Sequence, residues 1–130
     1  MANEARVTSG INISKGYLVY DAKPASFVAA VAGVKGPTPG QLAVSTSGTD
    51  VSFAQLASPG GLCRLMNLDA TNYVTYGIWT GATFCQLGEL LPGESYVLRL
   101  SRGLGDGAGH TLRLKANAAA CNCLVEAFDK

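Results

Sequence analysis

The chain has 130 residues, 48% of them hydrophobic and 15% charged, with 16 glycines and a formal net charge of +1. That length fits one domain able to close a hydrophobic core, and the apolar content excludes intrinsic disorder, which needs low hydrophobicity and high net charge. Ten Lys and Arg against nine Asp and Glu leave no basic surplus to neutralise a phosphate backbone, so nucleic acid is not an expected partner.

In chain order, Met1–Arg6 lacks the apolar stretch of a signal peptide. Residues 1–10 are polar and lightly patterned, and we read them as an N-terminal arm. Ile11 and Ile13, then Tyr17 to Tyr20, suit strands, with Gly16 as a bend or bulge between them. Ser26 to Gly33 suits a short helix or a strand, with strand favoured. Phe27 to Val34 is the longest strongly apolar stretch and is too short to span a membrane. A soluble chain made in a host cytoplasm, with no membrane partner, is the expectation. Gly36-Pro37-Thr38-Pro39-Gly40 reads as a firm break, and Leu42–Thr46 with Val51–Leu56 as a hairpin across Ser47-Gly48.

The second half is plainer. Leu62–Leu68 and Tyr73–Trp79 read as strands joined by Asp69-Ala70-Thr71-Asn72, whose Asp and Asn side chains suit a turn. Gly81 turns the chain before Ala82–Leu87. Leu91-Pro92-Gly93-Glu94 puts Pro and Gly where a type II turn requires them. Beyond it Tyr96, Leu98 and Leu100 alternate with Val97, Arg99 and Ser101. Leu112, Leu114 and Ala116 alternate with Arg113 and Lys115, and Cys121, Cys123, Val125 and Ala127 share one face of a last strand, opposite Asn122 and Glu126. Turn residues about every eight to twelve positions, with alternation between them, predict an all-β chain. We expect a single antiparallel β-sandwich over residues 1–130, built from short meander connections, with the strand order of a jelly roll or of a simpler sandwich.

No constellation carries chemistry. His110 is the one histidine and ends a glycine-rich loop, and no Gly-x-Ser-x-Gly motif offers it a nucleophile. Cys121-Asn122-Cys123 lacks the spacing of a zinc knuckle. Gly103 to Gly109 runs into a strand pattern and lacks the Lys-Ser/Thr of a phosphate loop, so a hairpin loop is the better reading. Glu89 and Glu94 flank a turn as solvated carboxylates. Cys63, Cys85, Cys121 and Cys123 are expected to stay reduced and pack as small hydrophobes. Tyr73 and Trp79 share one parity and Tyr76 the other; core packing, a protein interface and stacking on a sugar all remain open for them. The expectation is therefore a protein with no catalytic residues, no metal and no cofactor.

The run Asn67-Leu68-Asp69-Ala70-Thr71-Asn72-Tyr73-Val74, Gly77 and the Phe84/Leu87 strand resemble a group of small virion proteins of tailed bacteriophages. So do Leu91-Pro92-Gly93-Glu94, Leu98-Arg99-Leu100, Leu112 to Asn117 and the final alternating strand. The resemblance runs from about Gly60 to Glu126 and is looser before that. It implies a β-sandwich of the head decoration, or cement, kind. Such a protein sits on the outer surface of the assembled head, has the major capsid protein as its partner, forms a homo-trimer, and clamps neighbouring capsid subunits. A neck, tail or fibre-associated structural protein shares the same strand pattern, and a carbohydrate-binding module is a third reading.

Overall fold

The computed structural model describes residues 5–31, 33–104 and 109–130. It is all-β, and the chain divides into two compact units, Met1–Val31 and Ala32–Lys130.

The first unit is one antiparallel hairpin of β1 (Ala5–Lys15) and β2 (Leu18–Ala29). Lys15 pairs with Leu18 around a two-residue turn in which Gly16 has φ +57°, the glycine-first pattern of a type II′ hairpin turn. Gly16 is thus the turn itself. The register slips between Ser9 and Ile11, where Gly10 faces Lys23 and Pro24. Phe27 and Val28 lie in β2, as strand rather than helix. The arm expected over residues 1–10 is, from Ala5 onward, the first part of strand β1; residues 1–4 lie outside the described residues.

The second unit is a two-sheet sandwich. Its strands are β3 (Thr38–Val44), β4 (Thr49–Asp50), β5 (Leu62–Asn67), β6 (Val74–Trp79), β7 (Phe84–Leu90), β8 (Ser95–Arg99), β9 (Thr111–Ala116) and β10 (Cys121–Ala127). One sheet runs β3-β10-β5-β8 and the other β4-β9-β6-β7. This is the strand order of an eight-stranded jelly roll, two Greek keys wrapped into facing sheets. The expected meander holds only for β6 and β7, which pair directly. The other short connections carry the chain from one sheet to the other. The hairpin expected across Ser47-Gly48 does not form: β3 pairs with β10, β4 pairs with β9, and Val51–Leu56 is irregular. Ser45 explains the parting. Its N–H bonds to Thr49 Oγ1 at 3.0 Å, and its carbonyl accepts from both Gly48 and Ala116, so the turn binds to β9 rather than closing a ladder. The break expected at Gly36–Gly40 is also shorter than the sequence suggests. Thr38–Gly40 already pair with Ala127–Val125, and an edge strand tolerates the missing N–H of Pro39.

The core fills from both inner faces. Val44, Leu65 and Val125 from one sheet meet Val74, Leu90, Leu112 and Leu114 from the other, all buried. Along β10 the alternation expected from sequence holds: Cys121, Cys123, Val125 and Ala127 point inward while Asn122 is exposed and Glu126 half-buried. Outward-facing Glu126 pairs with Arg64 Nε at 2.6 Å.

Polar groups that must be buried are bonded. The fully buried Asn67 donates from Nδ2 to the carbonyls of Asn72 (2.8 Å) and Leu90 (3.0 Å), and its Oδ1 accepts from the Asp69 N–H (2.9 Å). It ties together the ends of three strands. Asp69 Oδ1 in turn accepts from the N–H groups of Asn72 and Thr71, and these backbone bonds hold its carboxyl below the usual carboxylate range. At the Pro92-Gly93 turn the Glu94 N–H donates to the Leu91 carbonyl at 3.0 Å and Gly93 has φ +81°, the type II geometry expected. The buried Asp129 accepts from the N–H groups of Ser58 and Lys35 and so fixes the C-terminal residues to two loops. A Cβ at Gly33 would fall on the Asp129 carboxylate, so this approach needs glycine.

Candidate interaction surface

Cross-strand partners in an antiparallel pair point to the same side. Applied to the hairpin register, this rule sorts its side chains cleanly. One face carries Val7, Ile11, Ile13, Leu18, Tyr20 and Phe27, with alanines 5, 22, 25 and 29 and Ser9 between them. The other carries Arg6, Thr8, Asn12, Ser14, Asp21 and Ser26, interrupted by Val19 and Val28. On the apolar face Lys15, beside the turn, is the one charged residue.

That apolar face is open. Ile11 keeps 61% of its surface, Leu18 58% and Tyr20 56%, and Ile13 and Phe27 are exposed as well. Five large apolar residues exposed on one face form the kind of contiguous patch that marks an interaction surface. An isolated two-stranded hairpin is at best marginally stable in water. Amphipathic alternation over both strands is the pattern of a sheet with one buried face.

The sandwich has a second apolar region along its β7 and β8 edge strands, where Leu87, Leu91, Tyr96 and Val97 are exposed. Leu87 is the extra residue of a bulge, since Tyr76 pairs with Gly88 and Gly77 with Gln86. Bulges of this kind twist an edge and blunt its pairing with other strands. Tyr96 faces the same side as its partner Leu65, yet it stays exposed because no further strand covers that edge.

The aromatic residues divide as their parity implies. Tyr76 points inward and packs against the core, while half-buried Trp79 stands on the outer face of its sheet beside Phe84. The Arg113 guanidinium lies 3.7 Å from the centre of the Trp79 ring, and its Nε bonds to Asp50 Oδ1 at 2.5 Å. Stacked and ion-paired, Arg113 covers one face of the Trp79 ring. Tyr73 is exposed near the Asp69 turn.

Histidine 110 is exposed at the rim of an open cleft of about 860 Å³ whose other walls include Phe53, Leu56, Ser58, Thr111 and Lys130. Among the described residues its ring has no hydrogen-bonding partner. Gly105 to Ala108 of the glycine-rich loop lie outside the described residues. Glu89 is exposed, whereas Glu94 is half-buried and caps its own turn through the Leu91 N–H. Among the described residues no three His, Cys, Asp or Glu side chains gather as metal ligands. The four cysteines are free. Burial pushes the Cys63 and Cys123 thiols up to about 12 and raises that of Cys121. Cys85 departs from the expectation of buried thiols: it sits exposed on edge strand β7.

The sequence reading missed the hairpin surface. Its signal was present in the odd-numbered apolar residues Val7, Ile11 and Ile13, but an arm ending at residue 10 cuts that run in two. Compared with protein-family models, curated proteins and solved structures, the chain matches none.

Proposed function

We propose that this chain is a non-enzymatic structural protein of a tailed-phage particle, a decoration protein that binds the outside of the assembled head and reinforces contacts between major capsid subunits. One observation supports the reading above others: the apolar surface left open on the hairpin and along the β7–β8 edge, which suits protein–protein contact. The resemblance of Asn67–Val74 and the later strands to small virion proteins supplies the context. A jelly roll alone would not, since one fold hosts many functions. The rigid sandwich presents surfaces, and repeated weak contacts over many copies give firm attachment by avidity.

The test is reconstitution. Purified chain is added to heads that lack it and co-sedimentation is followed to saturation. Binding that levels off at a fixed ratio to the shell subunit, with heads more resistant to heat, supports the proposal. Heads that bind none of it refute it.

A further inference from the structure

We infer that Asp129 is a clasp on the tether that joins the two units, holding residues 33–37 to the sandwich until a local opening releases them. The inference concerns this tether alone and holds whether or not the particle reading does.

The units divide between Val31 and Ala32, and the first strand of the sandwich, β3, begins at Thr38. Residues 33–37 belong to no strand. Hydrophobic burial does not hold them: Val34 is wholly exposed, and Lys35, Gly36 and Pro37 are exposed as well. Among the described residues their only hydrogen bonds run to Asp129. The Lys35 N–H donates to Asp129 Oδ2 at 3.2 Å, and the Lys35 carbonyl accepts from the Asp129 N–H at 3.1 Å. The contact is also close. A Cβ at Gly33 would fall on the Asp129 side chain, and one at Gly36 on the Ala127 carbonyl and the Phe128 ring. Asp129 Oδ1 meanwhile accepts from the Ser58 N–H at 2.9 Å, so the clasp has a fixed side and a releasable one. A segment with little buried apolar surface and few bonds is where local opening costs least. Opening here frees residues 33–37, about 17 Å of extended chain. Tether length sets the effective concentration of linked contact surfaces, so the clasp governs the reach of the hairpin.

Trypsin reports the opening, because cleavage of a transiently opened segment follows its opening equilibrium and Lys35 is the basic residue of the tether. Wild type, Asp129→Ala and Gly33→Ala are digested briefly. Mass spectrometry then compares cleavage after Lys35 with cleavage after Arg64 in β5 and Lys115 in β9. Asp129→Ala removes the acceptor, whereas Gly33→Ala keeps it and spoils the close approach. Each is expected to speed cleavage after Lys35 at least about fivefold, the effect of one lost hydrogen bond on an opening equilibrium. Cleavage after Arg64 and Lys115 should not change. Lys35 cut equally fast in all three chains overturns the inference. So does a rise at Lys35 that, in both variants, is matched at Arg64 and Lys115, since the whole sandwich would then be opening.

Discussion

Replacing Asn67 by Asp changes one NH2 group to an oxygen and so tests the reading of the sandwich interior. In the wild type that NH2, on a side chain with no solvent exposure, donates to two carbonyls, the half-buried one of Asn72 and the buried one of Leu90. The new oxygen faces the same two acceptors. The folded protein escapes repulsion by protonating the carboxyl, whose single O–H then serves one carbonyl and leaves the other without a donor. Leaving one buried acceptor unpaired costs about 1–3 kcal/mol. Protonating a carboxyl of ordinary pKa 3.9 at pH 7 adds about 4 kcal/mol. The total is about 5–7 kcal/mol at neutral pH, comparable to the whole stability of a small domain. The sign with pH follows from linkage. The folded-state pKa is raised, so the folded state holds one more proton than the unfolded state above about pH 4, and stability falls as pH rises, by about 1.4 kcal/mol per unit. Near pH 4 only the unpaired carbonyl remains, about 1–3 kcal/mol. Urea unfolding of Asn67→Asp against wild type, repeated between pH 4 and pH 7, measures the difference. A variant within about 1 kcal/mol of wild type at every pH would refute the assignment of these bonds.

Three further outcomes follow from the same interior. Leu114→Ala, at a position without solvent exposure between the sheets, should lower stability by about 2–5 kcal/mol in urea titration; an effect below about 1 kcal/mol would mean the core is not packed as described. Asp129 has its carboxyl held below the ordinary range by the N–H groups of Ser58 and, more weakly, Lys35. Its stabilisation is therefore present above the unfolded pKa of about 3.9 and lost as pH falls through the lowered folded value. Asp129→Asn should melt below wild type at neutral pH, with the gap closing in acid; a gap that does not change with pH contradicts this. In native protein treated briefly with iodoacetamide, mass spectrometry should find Cys85 labelled and Cys63 and Cys123 protected until denaturant is added. Equal labelling of all four would contradict the burial.

How much was legible in the sequence depended on the range of the interaction. β9 and β10 were readable because each buries one face, and a residue's side on a strand is fixed by its own position. Leu112/Leu114/Ala116 and Cys121/Cys123/Val125/Ala127 show this directly, whereas on edge strand β8 the expected apolar face leaves Tyr96 exposed. The Pro92-Gly93 and Asp69–Asn72 turns were readable because Pro, Gly and Asp set local dihedrals and local bonds. Strand partners were not readable. The Asp69 turn has the same chemistry whether it closes a hairpin or, as here, passes the chain from β5 in one sheet to β6 in the other. Ser47-Gly48 misleads for the same reason, since the bond that parts β3 from β4 comes from Ala116, remote in sequence. The interaction surface lay between these limits. Its alternation is local, but that Ile11, Ile13 and Tyr20 stay uncovered is a fact of the fold. Cys85 was misjudged because β7 is an edge strand, which only the sheet order reveals.

The proposed place of this chain on a phage head is tested most directly by its copy number in purified particles. Quantitative mass spectrometry against the major shell protein should find it in a fixed ratio, at hundreds of copies per particle. A dozen copies or fewer would place it at the neck or tail instead, and its absence from the particle would contradict the account.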